Sequence, residues 1–97
     1  MNSYELSEEL GVEHRVIVNV IRNYREDIET FGELSVEKIK IVSGRPREVY
    51  LLNESQCMLI VLFMKNSPDN VERKANFIKK LFDMRDEVVG ITFNLKE

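Results

Sequence analysis

The first third of the chain repeats its apolar residues at helical spacing. Leu6 and Leu10, at i and i+4, form one stripe of a short helix that Asn2 or Ser3 can cap and Gly11, free to take positive φ, can end. Val16, Ile17, Val20, Ile21, Tyr24 and Ile28 then recur at three and four residues, which predicts one helix from about Glu13 to Thr30, closed by Phe31 and Gly32. The pattern changes after Leu34. Val36, Ile39, Ile41 and Val42, then Val49, Tyr50, Leu51 and Leu52, flank Ser43, Gly44, Arg45 and Pro46, and two extended runs around such a turn predict a β-hairpin.

Asn53 followed three residues later by Gln56 has the form of a capping box and opens a helix to about Met64. The near-continuous apolar run Met58 to Met64 predicts that this helix is covered on several sides. Lys65, Asn66 and Ser67 interrupt it. Ser67 as N-cap and Pro68 at the first helical position start another helix to about Val89, with Val71, Ala75, Ile78, Phe82 and Val89 near one stripe and Phe77, Leu81 and Val88 widening it. Gly90 stops that helix, and Ile91 to Leu95 permit a short strand or a docked tail. These elements make an α+β chain, a winged helix-turn-helix-like domain with a β-hairpin wing and two further C-terminal helices. A single domain over 1–97 is expected, divided into a helix-turn-helix (1–31), a wing (34–52) and a core helix with a C-terminal helix (53–97).

Composition narrows the chemistry. A chain of 97 residues, 43% apolar and 32% charged, suffices for one core but leaves little material for a deep substrate pocket. The longest apolar run is far below the ~20 residues that span a bilayer, so a cytoplasmic protein without a membrane partner is expected. Cys57, the single cysteine, reads as a small buried thiol, and with one histidine it cannot complete a structural zinc site, so neither metal nor cofactor is expected. No general acid and base can be paired from this sequence, which predicts no enzyme. The net charge of −3 argues against indiscriminate nucleic-acid coating. Yet His14 to Arg25 contains three arginines and no acid, and Lys38 to Arg47 carries Lys38, Lys40, Arg45 and Arg47. The chain can therefore present one basic face.

Two helices separated only by Gly11 and Val12 have helix-turn-helix spacing, with Ser7 small enough to let them approach. The outward positions of the second are His14, Arg15, Val18, Asn19, Arg22 and Arg25. Arginine suits guanine, asparagine suits adenine, and an exposed valine can touch a thymine methyl group. The same spacing also suits a purely structural helix pair. His14 has two readings, a donor to a phosphate or base edge, or a residue that caps and packs against the turn. Arg45 and Arg47 at the wing tip, with Lys38 and Lys40, are suited to phosphate contacts, although a basic tip also serves solubility.

The stretch Gly11 to Arg22, with His14, Ile17, Ile21 and Arg22, resembles the start of the Rha family of phage regulatory proteins. Gly44 to Leu52 is similar to that family's glycine and basic turn leading into a Tyr-Leu-Leu strand, and Pro68 to Val88 to its closing helix. The resemblance implies a small phage or prophage transcriptional regulator with a winged-helix-like fold and no enzymatic activity.

Two functions therefore stand side by side. One is a regulator that binds double-stranded DNA at a palindromic operator as a homodimer, because one short recognition helix buries too little for tight binding. Phe77, Leu81, Met84 and Val88 on the last helix are its expected dimer surface. The other is an antirepressor or adaptor that uses the same scaffold to bind a regulatory protein.

Overall fold

The order of the elements follows the sequence pattern, and a computed structural model shows where each apolar stripe is buried. It describes the backbone of residues 1–40 and 44–89, with the side chains of the last helix described as far as residue 84. Helices α1 (Ser3–Leu10), α2 (His14–Asn23) and α3 (Arg25–Glu29) come first. The strands β1 (Ser35–Lys40) and β2 (Pro46–Leu51) follow, then α4 (Glu54–Phe63) and α5 (Val71–Val89). The chain is α+β, and helices followed by a two-stranded antiparallel hairpin are compatible with a winged-helix-like fold carrying additional helices.

Asn2 begins α1 with a full capping box. Its side chain accepts from Glu5 N–H at 2.8 Å, and the Glu5 carboxylate accepts from Asn2 N–H at 2.9 Å. Gly11 ends the helix at φ 67°, a left-handed conformation that a side chain would strain. Ser7 is buried and donates to Tyr4 O at 2.6 Å, an internal bond that leaves α1 free to lie against α2. Leu6, Leu10, Ile17, Ile21 and Ile28 are fully buried and meet Cys57, Ile60 and Val61 of α4 in a single core. The Cys57 thiol is pushed up to about 11, chiefly by burial, and is therefore unreactive.

The single helix expected over Glu13 to Thr30 is in fact two. Tyr24, at φ −126° and ψ 33°, breaks it. The Tyr24 ring lies against Phe63 with centroids 4.6 Å apart, and beyond the break α3 delivers Ile28 to the core. Helix α4 is also less enclosed than its apolar run suggests. Cys57, Ile60, Val61 and Met64 are buried, but Leu62 is 74% exposed. Pro46, expected in the turn, begins β2 at the hairpin edge. The expected strand positions Ile41 and Val42, and Ser43 of the turn, lie outside the described residues, as does the segment from Gly90 onward.

The last helix is rotated by one residue from the expected phase. Asn70, Lys74, Phe77 and Leu81 are buried, while Val71, Ala75 and Phe82 are exposed and Ile78 is half-buried. The physical reason is polar. Lys74 donates at 2.8 Å to both Met64 O, the C-cap carbonyl of α4, and Asn66 Oδ1. A lysine that caps a helix C-terminus must face it. Burial lowers the Lys74 pKa. Phe77 and Leu81 are thus part of the chain's own core and unavailable as a dimer surface; Met84 is exposed, and the Val88 side chain lies outside the described residues. Ser67 and Asn70 cap the turn before α5 reciprocally, at 3.2 and 2.9 Å.

Gln56 joins three segments. Within the capping box of α4 it accepts from Asn53 N–H at 3.0 Å, and its amide donates to Gly32 O at 2.7 Å and, at 3.4 Å, to Ile28 O. Replacing this buried amide by leucine removes the bonds to Asn53 N–H and Gly32 O, while Ile28 O still accepts from Phe31 N–H. Gln56→Leu is expected to cost about 1–3 kcal/mol in a urea unfolding experiment, well beyond an exposed polar-to-apolar change.

Candidate nucleic-acid interface

Helix α2 buries only Ile17 and Ile21, and the side turned from that ridge faces the hairpin. The two enclose a cleft of about 330 Å³ lined by His14, Arg15, Val18, Asn19 and Arg22 from α2 and by Val36, Arg47, Glu48, Val49 and Tyr50 from the strands. Sequence spacing alone puts Arg15, Val18, Asn19 and Arg22 on one side of α2. Bringing Arg47 against them takes the tertiary fold.

The hairpin register divides the remaining basic residues. Directly opposed residues share a face, so Lys38 and Lys40 lie on the face of Val36, Glu48 and Tyr50, and Arg47 on that of Ile39 and Val49; residues of both faces line the cleft. Lys38, Lys40 and Arg45 are exposed but do not line the cleft. Arg25 is absent from it too. The break at Tyr24 moves Arg25 onto α3, where it pairs with Glu29 at 3.6 Å.

The cleft's geometry is held by a buried hydroxyl. Tyr50 N–H donates to Ser3 Oγ at 2.9 Å, and Ser3 Oγ lies 2.8 Å from His14 Nε2. Ser3 is fully buried, and the tautomer of His14 sets which of the two groups donates in this bond. The ring also meets Tyr4 edge-on, with centroids 5.8 Å apart, and the Arg47 guanidinium sits over that Tyr4 ring at 5.5 Å. Burial, and then the charge of Arg47, lower the His14 pKa below 6.5. His14 therefore packs against Ser3 and Tyr4 and also lines the cleft, without capping the helix. The sequence carried no signal for Ser3 beyond its capping ability or for Tyr4 beyond its proximity to α1.

The cationic groups are not equally available. Arg15 pairs with Glu13 at 2.6 Å, but both side chains are largely exposed, and such a pair is weak enough to exchange for another anion. Arg22 and Arg47 have no carboxylate partner among the described residues. Glu48 brings one negative charge to the same cleft. No group of three or more His, Cys, Asp or Glu among the described residues could hold a metal ion, and no described helix is long and apolar enough to cross a membrane.

A helix-turn-helix whose second helix faces a β-hairpin across an arginine-bearing cleft has the architecture of a small regulatory domain. The chain belongs to the phage regulatory protein Rha family, whose model matches residues 1–86. The match takes in α1 to α4, the hairpin and α5 as far as its described side chains, and the family is one of regulatory proteins rather than enzymes. No curated protein and no solved structure matches the chain.

The lowered His14 pKa has a stability consequence of definite sign. Unfolded His14 binds a proton more readily than native His14, so its contribution is fully present above about pH 6.5 and is lost as pH falls through the lower native value. Between neutral and mildly acidic pH the urea midpoint of the wild type is expected to fall more than that of His14→Gln. Parallel midpoints for the two proteins would remove His14 from the pH dependence.

Proposed function

We propose that the chain is a phage-type transcriptional regulator that binds double-stranded DNA, with α2 in the major groove and the hairpin beside the phosphates. The observation that supports this reading is the convergence of Arg15, Val18, Asn19 and Arg22 on one side of α2 with Arg47 of the wing. A ten-residue helix is about 15 Å long and the major groove about 12 Å wide, so α2 can enter it and present three or four side chains to base edges. Arg22, without a carboxylate partner among the described residues, is suited to guanine O6 and N7, and Asn19 to adenine N6 and N7. Val18 offers an apolar contact to a thymine methyl. Arg47 and Arg45 supply phosphate contacts, which position the domain without reading sequence.

A second reading, an antirepressor or adaptor that binds a regulatory protein, is favoured by one feature of the same cleft. Glu13 neutralises Arg15, and Glu48 adds a carboxylate that repels phosphates.

Selection from random duplex DNA at two salt concentrations separates the readings. Enrichment of a motif is the expected result. On that motif Arg22→Ala is expected to cost about 1–3 kcal/mol and relax preference at one base position. Arg47→Ala is expected to weaken all sequences alike and to reduce the salt slope by about one. A folded protein that enriches nothing at either salt favours the adaptor.

A further inference from the structure

Helix α5 is apolar on two faces. Asn70, Lys74, Phe77 and Leu81 close against the core. Val71, Ala75, Ile78 and Phe82 are each the next residue along, so their stripe is rotated by about 100° from the buried face. Val71 is 50% and Phe82 42% exposed, Ala75 is exposed, and only Ile78 leans partly on the core. Their spacing of four, three and four residues is that of a coiled-coil seam. In sequence it continues through Arg85 to Val89.

The charges beside the stripe specify its occupant. Glu72 and Lys79 follow seam positions Val71 and Ile78, lie one heptad apart on the solvent flank, and are opposite in sign. In an antiparallel pair of identical helices this flank faces itself, so Glu72 of each copy meets Lys79 of the other in two symmetry-related pairs. A parallel pair would instead set this flank against Lys74 and Leu81, which are committed to the chain's own core. The existing Lys79–Asp83 pair, 3.1 Å and exposed, is weak enough to exchange.

We propose that the Val71–Ala75–Ile78–Phe82 stripe is the seam of an antiparallel homodimer, flanked by reciprocal Glu72–Lys79 pairs. The seam does not depend on whether the α2 cleft reads DNA, and its test contains none. Sedimentation equilibrium of the full chain is expected to show a dimer at micromolar concentration. Phe82→Glu, a change at an exposed position, is expected to give a monomer with wild-type helical circular dichroism. Glu72→Lys alone is expected to weaken dimerisation roughly tenfold at low salt, and Glu72→Lys with Lys79→Glu to restore it. The charge-swap pair decides the question even should Phe82→Glu fail to fold. A wild type that remains monomeric, a dimer indifferent to Phe82→Glu in a folded variant, or a double swap that does not restore association would each overturn the proposal.

Discussion

The hydroxyl of Ser3 sets the relation between the hairpin and the helices. It accepts from the backbone of β2 and bonds to the imidazole at the start of α2, joining residues that are 47 and 11 positions away in sequence. Around it the chain end is tied to the same strand. Asn2 bridges Leu51, and Leu52 N–H donates to Met1 O at 2.8 Å. A two-stranded hairpin is marginal by itself in water. Here its root is pinned to the first turns of two helices, and for that reason the cleft between α2 and β2 has a defined width. A hydrogen bond to a buried hydroxyl is worth more than one to an exposed hydroxyl, because losing it leaves a desolvated polar group without a partner.

The cleft's electrostatics follow from that geometry. Arg47 is held over Tyr4 rather than left free at the wing tip, and the same contact brings its charge close enough to depress the His14 pKa. Among the described residues, Arg22 and Arg47 of the cleft carry positive charge without a carboxylate partner, with Glu48 opposing them. A protein of net charge −3 can have a cationic site only if its cations are concentrated and its acids kept elsewhere. Glu9, for instance, pairs with Lys80 at 2.9 Å, an ion pair between α1 and α5. The proposed DNA reading rests on local charge arrangement, and bulk composition bears on it little.

Helix α5 shows how one polar bond can decide an amphipathic phase. Its sequence offers two apolar stripes one residue apart, and burial alone does not choose decisively between Phe77 with Leu81 and Ile78 with Phe82. Lys74 does. Its ammonium reaches Met64 O and Asn66 Oδ1 only when the Phe77 and Leu81 face is inward, and the alternative stripe is left on the surface.

Much of the fold was legible in local signals. The caps at Asn2, Gly11, Asn53 and Ser67 mark element ends because each satisfies backbone groups a few residues away, and their chemistry is complete within that span. Arg15, Val18, Asn19 and Arg22 of the cleft could likewise be placed on one side of α2 by helical spacing, and the resemblance to the Rha family rested on His14, Ile17, Ile21, Arg22 and the run from Gly44 to Leu52. What the sequence could not supply were choices settled by distant partners. The break at Tyr24 accompanies stacking on Phe63, the departure of Arg25 follows from that break, the approach of Arg47 to the α2 residues follows from the docking of the hairpin, and the phase of α5 follows from Lys74. The sequence by itself determined the elements and their order, since propensity, capping and periodicity act within a few residues. Only the tertiary structure decided which faces meet, because packing and buried hydrogen bonds join groups that local pattern leaves equivalent.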